Sequence, residues 1–219
     1  MEEIFRKAFI GFAVTAVLVV IYWEKVRKDF QLLRTDRRKW LYLKWKNWGE
    51  PILIALVLAL FIRTFFVQAF KIPTGSMKPT FMENDRILVD KLTYRFKSPK
   101  RGDIIVFKYP ADTKKDFVKR LIGFGGETIE IKNGSAYVNG IKVQEPDSIV
   151  RNYYYNRNDW AYGKEGQKIL VPEGHFFALG DNSAQSSDSR NWGFIPRNYL
   201  KGRAILVYWP PTRIRLIKN

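Results

Sequence analysis

Two apolar runs near the N-terminus constrain this chain more than any other feature. Ala8–Trp23 holds only apolar residues, Gly and Thr, and Arg6 and Lys7 precede it. Sixteen helical residues reach about 24 Å, slightly less than a ~30 Å hydrocarbon core. Ile4 and Phe5 lengthen the run, and Arg6 and Lys7 can snorkel. A cleavable leader would need small residues after the run. Tyr22, Trp23, Glu24 and Lys25 stand there instead, so a retained anchor over 1–23 is expected. The second run, 51–70, opens on Pro51, suited to a first helical turn, and continues through wholly apolar Ile52–Ile62. Arg63 lies near one end, where it can reach headgroups; at a bilayer centre it would cost about 2.5–3.5 kcal/mol. A buried helix of a soluble core is the alternative for this run.

Between the runs, residues 24–50 carry nine Lys and Arg, with Trp40, Trp45 and Trp48 near the end, where interfacial aromatics sit. A solvated basic loop, attractive to acidic headgroups, is expected. Only Arg6 and Lys7 precede the first run. The positive-inside rule then places 24–50 in the cytoplasm and everything after Phe70 on the opposite side. The whole chain carries a net charge of +17, and residues 1–70 hold 12 Lys and Arg against 6 Asp and Glu. Both halves are basic, so charge does not separate a lipid surface from a nucleic acid as partner. With no Cys, disulfides and thiolate metal sites are excluded; with one His, His175, so is a multi-histidine metal site within the chain.

Residues 71–219 read as β structure. Ile87–Val89, Ile104–Tyr109, Phe117–Ile122, Thr128–Ile131, Ala136–Val138, His175–Leu179 and Arg203–Trp209 are short β-rich runs. Asn133-Gly134 and Asn139-Gly140 are hairpin turn signals. The expected fold is a mainly β domain over 71–219, a sandwich or partly open barrel of short antiparallel strands, behind two N-terminal transmembrane helices. The stretch 152–162, with Tyr153, Tyr154, Tyr155, Trp160 and Tyr162, is expected to be a loop with aromatics packed inward, or else one facing a membrane or ligand.

Three stretches carry candidate chemistry. In Phe70–Thr80, FKIPTGSMKPT, Ser76 sits in a turn stiffened by Pro73 and Pro79 and follows Gly75 directly. A serine nucleophile also needs a base and an oxyanion donor. His175 is one candidate base, although a lone histidine at a strand edge is more often structural. Lys119 is the other: alternation puts Phe117, Lys119 and Leu121 on one face, so the amine has apolar neighbours. Desolvation penalises the ammonium form and lowers a lysine pKa. The third stretch, Gly180–Arg190, GDNSAQSSDSR, is rich in Ser and Asp. It reads either as a solvated Asx-type loop or as a structured one, with Asp188 and Arg190 paired and a hydroxyl orienting the lysine.

Four blocks in order, FKIPTGSMKPT, RGDIIVFKYP, DFVKRLIG, and GDNS followed by SDSR-WGFIP, give the chain its resemblance to bacterial type I signal peptidases, membrane-anchored Ser-Lys endopeptidases. The resemblance implies Ser76 as nucleophile and Lys119 as general base. It implies that Thr74 completes an oxyanion hole with the Ser76 N–H, that Ser186 orients the lysine, and that Asp188 and Arg190 form a supporting pair. Phe70, Ile72, Met77, Val106 and Val118 fall where the family lines shallow pockets for small side chains. It further implies preprotein signal peptides as substrate, cut after small residues at −1 and −3, and no metal or cofactor. The partners it implies are a phospholipid membrane and the neighbourhood of the export machinery, not nucleic acid. The expected location is a plasma (inner) or thylakoid membrane, multi-pass, with the catalytic domain extracytoplasmic. The family usually has Leu-Pro-Gly-Asp where Phe124-Gly125-Gly126-Glu127 stands here, which leaves that turn open. A DNA- or lipid-binding module and a self-cleaving Ser-Lys repressor are the rival readings. The N-terminal apolar runs, standing where a repressor has DNA-binding helices, argue against the second.

Overall fold

The computed structural model describes residues 23–24, 26–27 and 30–217. The first apolar run, Trp23 apart, lies outside them. The chain separates into two compact units, residues up to Leu60 and residues from Phe61 onward.

The stretch expected as a loop is helical. Residues 30–35 are helical, and α1 (Arg37–Lys44) follows, with the Asp36 carboxylate accepting from Lys39 N–H at 3.0 Å as its N-cap. The stretch between Glu24 and Trp48 has neither Gly nor Pro, and Leu, Lys and Arg favour helix, which is why its polar composition misleads. A π-turn over Trp45–Gly49 then leads into α2 (Glu50–Phe65). Pro51 has no N–H, and its ring crowds the carbonyl four residues back. The wider turn just before it, with Glu50 N–H bonded to Trp45 O, lets the helix run on. Arg37–Phe65 is, among the described residues, the one helix long and apolar enough to cross a membrane. It stops at Phe65, short of the expected end at Phe70, because Val67–Lys71 pairs as a strand instead.

The second unit is mainly antiparallel β, as expected. Strands β1 (Val67–Lys71), β2 (Arg86–Asp90), β3 (Ile104–Tyr109), β4 (Asp112–Phe124), β9 (His175–Leu179), β10 (Ile195–Pro196) and β11 (Leu200–Trp209) form a sheet in the order β1-β2-β11-β3-β4-β9-β10. The short β12 (Arg215–Leu216) adds to β11. Strands β5 (Thr128–Lys132), β6 (Ser135–Val138), β7 (Ile141–Lys142) and β8 (Ile169–Leu170) form a second sheet, ordered β7-β6-β5-β8. Both Asn-Gly signals are hairpin turns, with Asn133 and Asn139 at φ 50° and 52° and glycines following at positive φ, the twist that a two-residue hairpin needs. Three helices of one turn each, α3 (Thr93–Phe96), α4 (Asp147–Val150) and α5 (Ser189–Trp192), are too short to leave a periodic trace in sequence.

The sheets pack on each other through Ile122, Phe177 and Leu179 of the larger and Ile129, Ile131, Ala136 and Ile169 of the smaller. At about 1.5–3 kcal/mol for each large apolar side chain withdrawn from water, this layer is a main source of stability. The open turn after β4 is closed by Glu127, whose carboxylate accepts from Phe124 N–H at 2.8 Å and pairs with Arg101 at 2.7 Å. A second cluster, including Ile72, Met77, Phe81, Ile87, Val89 and Ile104, lies under the turn that carries Ser76.

Candidate active site

The serine turn is fixed at its root and from below. Beyond β1 and β2 the ladder continues, with Ile72 N–H to Asp85 O at 2.9 Å and Asn84 N–H to Ile72 O at 2.8 Å. Asp85 accepts from Met82 N–H at 2.9 Å and takes a two-pronged pair from Arg213, at 2.9 and 3.0 Å. Met77 and Phe81 point into the core, 1% and 0% exposed. With the residue after Ser76 so anchored, Ser76 itself stays half-buried at the cleft.

Lys119 reaches the serine from β4, where it pairs with Ile105 of β3. Its Nζ lies 2.7 Å from Ser76 Oγ. Only 4% of the residue is exposed, and the amine sits 5.5 Å from the Phe117 ring centroid, the neighbour that alternation assigned to it. Burial pulls the Lys119 pKa down to about 8; Asp188 and Asp181 push it back up and Arg190 lowers it further. Thr74, exposed on the turn, has its Oγ1 3.5 Å from Ser76 Oγ. His175 opens β9 and holds the Glu173 carbonyl at 2.9 Å through Nδ1; it does not line the cleft.

The third stretch is a buried network, not a solvated loop. Asp188 and Arg190 are fully covered and joined by two bonds of 2.8 and 2.7 Å. Arg190 also donates to Ser183 Oγ at 2.6 Å and Ser183 O at 3.0 Å, and Asp188 accepts from Gly180 N–H at 3.0 Å. A second buried pair, Arg120 with Asp181 at 2.7 and 2.6 Å, adds Thr80, Asn152 and the Gly102 carbonyl. Buried ions satisfied in this way hold loops in one arrangement, and removing one partner typically costs about 3–5 kcal/mol. Ser186 is buried as well, but its hydroxyl has no hydrogen-bond partner among the described residues, Lys119 included.

Two positions escaped the sequence reading. Asn182 bonds the serine turn twice, by its N–H to Ser76 O at 3.1 Å and its Nδ2 to Gly75 O at 3.0 Å. Gly180 is the reason the two loops can touch: a Cβ there would meet Ser186 Oγ at 2.1 Å and Ser76 O at 2.6 Å. The aromatic stretch is split. Tyr154 is buried, Tyr153 and Tyr155 are exposed, and the Trp160 ring lies 4.6 Å from the Arg190 guanidinium, covering the Asp188 pair.

A cleft of about 260 Å³ runs beside the Ser76–Lys119 pair. Phe70, Ile72, Met77 and Val118 line it, with Phe117 as a further wall. Val106 does not line it; fully covered, it packs behind them in the same cluster. Among the described residues no cluster of His, Asp and Glu could hold a metal ion. The arrangement offers a hydroxyl, a desolvated amine on it, a second hydroxyl nearby and an apolar groove alongside.

Comparison with known proteins bears on this geometry. The family model described as "Signal peptidase, peptidase S26" matches residues 45–209. A probable signal peptidase I-2 from Synechocystis is 38% identical, over 80% of this chain and 78% of its own. A signal peptidase I from Leptolyngbya laminosa is 41% identical, over 75% of this chain and 80% of its own. The thylakoidal processing peptidase 1 of Arabidopsis thaliana is 32% identical, over 73% of this chain and 47% of its own.

Proposed function

Because this chain belongs to the signal peptidase family, peptidase S26, and is a type I signal peptidase, a serine endopeptidase, that cleaves signal peptides from preproteins, we propose that it does so with a Ser76–Lys119 dyad. One observation carries the reading: a nearly buried amine 2.7 Å from a serine hydroxyl, at the wall of an apolar cleft.

Neutral Lys119 takes the Ser76 proton as Oγ attacks the carbonyl carbon of the −1 residue. The tetrahedral oxyanion is held by the Ser76 N–H and the Thr74 hydroxyl; one such donor is commonly worth about 3–4 kcal/mol. The Lys119 ammonium then protonates the leaving amine. With the amine neutral again, it activates the water that hydrolyses the acyl-enzyme. The covered Asp188–Arg190 pair and its neighbours hold the loop that bears Ser186, whose buried, unpartnered hydroxyl is the group left free to turn to the lysine and orient it. Phe70, Ile72, Met77 and Val118 wall a cleft of only about 260 Å³, which supports small residues at −1 and −3. An extended substrate would add backbone pairing beside the cleft.

The protein is associated with a membrane, as its relatives suggest. Its multi-pass anchor consists of 1–23 and the second apolar run, with the peptidase domain outside the cytoplasm. A plasma membrane is the first assignment, and the thylakoid relative keeps a thylakoid one open. The export machinery that delivers preproteins would be its neighbour.

The test uses the purified full chain in detergent with a preprotein, the cut site being read by mass spectrometry. Cleavage after small −1 and −3 residues is expected for the native chain, and none for Ser76→Ala or Lys119→Ala. Normal cleavage by either variant would refute the dyad, and loss of cleavage in a folded His175→Ala variant would restore histidine as the base.

A further inference from the structure

The flank of the larger sheet holds a concavity of about 420 Å³ that shares no lining residue with the catalytic cleft. Lys91, Arg95, Arg197 and Lys201 line it, together with Gln68 and Tyr94. Few of these charges are neutralised. Lys201 pairs with Asp116 at 2.7 Å, and the Tyr94 hydroxyl is taken by Asp103. Lys91 Nζ donates to a neutral group, the Thr64 carbonyl, at 2.7 Å. Arg95 and Arg197 are exposed and make no ion pair among the described residues. Two free guanidinium forks and an ammonium around one hollow match the oxygens of a phosphate.

Two further observations select a lipid over a soluble phosphate. Lys91 is tied to the last turn of α2, where the chain leaves its apolar run, so the hollow opens where headgroups would lie. Next to it is a mainly apolar hollow of about 370 Å³, lined by Phe66, Leu92, Phe96 and Ile205, with Asp90 and Lys97 also in its wall. The segment from Lys91 to Phe96 divides between the two, with Lys91, Tyr94 and Arg95 on the basic side and Leu92, Thr93 and Phe96 on the apolar side. Phe96 is 79% exposed and, with Leu92 and Phe66, makes the wall of this hollow a contiguous apolar patch.

We propose that this flank binds an anionic phospholipid, with its phosphodiester held by Lys91, Arg95 and Arg197 and an acyl chain laid over Leu92 and Phe96. The inference rests on the membrane-spanning reading of the second apolar run. Native mass spectrometry of the detergent-purified full chain, titrated with dioleoylphosphatidylglycerol and separately with dioleoylphosphatidylcholine, tests it. The native chain should prefer the glycerol lipid by about tenfold or more, given the attraction each basic side chain exerts on an anionic headgroup. The double variant Arg95→Ala, Arg197→Ala should lose that preference. Lys132→Ala with Lys142→Ala, two exposed lysines of the smaller sheet, should keep it, and cleavage of a soluble peptide in lipid-free detergent should be unchanged throughout.

Equal retention of the two lipids, or equal loss from the control pair, overturns the site and leaves only diffuse charge. Displacement of the lipid by millimolar inorganic phosphate overturns the lipid assignment in favour of a soluble anion. Extraction of the native chain from membranes by alkaline carbonate overturns the spanning reading and this inference together, whereas a membrane-retained chain without the preference overturns the lipid site alone.

Discussion

A lysine amine serves as a base near neutral pH only if its surroundings oppose its charge. At Lys119 burial does most of this, and the pKa falls to about 8. In the proposed mechanism the neutral form is the active one, so its fraction, and with it kcat/KM, should rise about tenfold per pH unit on the acid side and level off above pH ~8. A pH profile of peptide cleavage by the full chain checks this; an acid limb near the ordinary lysine value would remove Lys119 from the base role. At Thr74, replacement by Val keeps the shape and deletes the hydroxyl we propose as an oxyanion donor. A fall in kcat of about 10²–10³-fold with little change in KM is expected, with Thr74→Ser restoring most of it. Sequence gave partial access to these residues. Alternation set Lys119 beside Phe117, and the two are neighbours. Its apolar neighbours pointed to desolvation, but the extent of its burial was beyond reach, because the partner hydroxyl lies 43 residues away and the covering loop is more distant still.

At the scale of elements, the site is two loops locked against each other. Gly180→Ala would put a methyl group 2.1 Å from Ser186 Oγ and 2.6 Å from Ser76 O, so one loop must move. A displacement of about 1 Å at a reacting group can cost on the order of 10²-fold in rate. The expected result is a comparable drop in kcat with far-UV circular dichroism unchanged; activity within a factor of two would show that the loops need not touch. The polar third stretch was ambiguous in sequence for a physical reason. Ser, Asp and Asn suit a solvated turn and a satisfied buried network equally well, and only the arginines that arrive from β4 and α5 decide between them. The second apolar run was ambiguous in a similar way. Val67, Ala69 and Phe70 are apolar in a helix or a strand, and pairing with β2 settles them as β1.

For the whole molecule, the open question is which side of the membrane each part faces, and the two charge counts pull against each other. Residues 24–50 hold nine Lys and Arg, yet the residues after 70 carry +11 of the total +17. The positive-inside rule counts short loops close to the spans, because long domains cross largely regardless of their charge. On that rule the connecting segment dominates, and the orientation we propose puts it in the cytoplasm with the peptidase unit outside. The chain has no Cys, so any introduced thiol reports its own position alone. Thr35→Cys marks the connecting segment, and Lys142→Cys and Asp159→Cys mark the peptidase unit; all three positions are exposed. On intact spheroplasts a membrane-impermeant maleimide should label positions 142 and 159 at once, and position 35 only after the membrane is opened. The reverse pattern would invert the orientation. Immediate labelling of all three would mean that the second apolar run does not cross, and the basic helix before it would then have to lie on the outer surface with the peptidase.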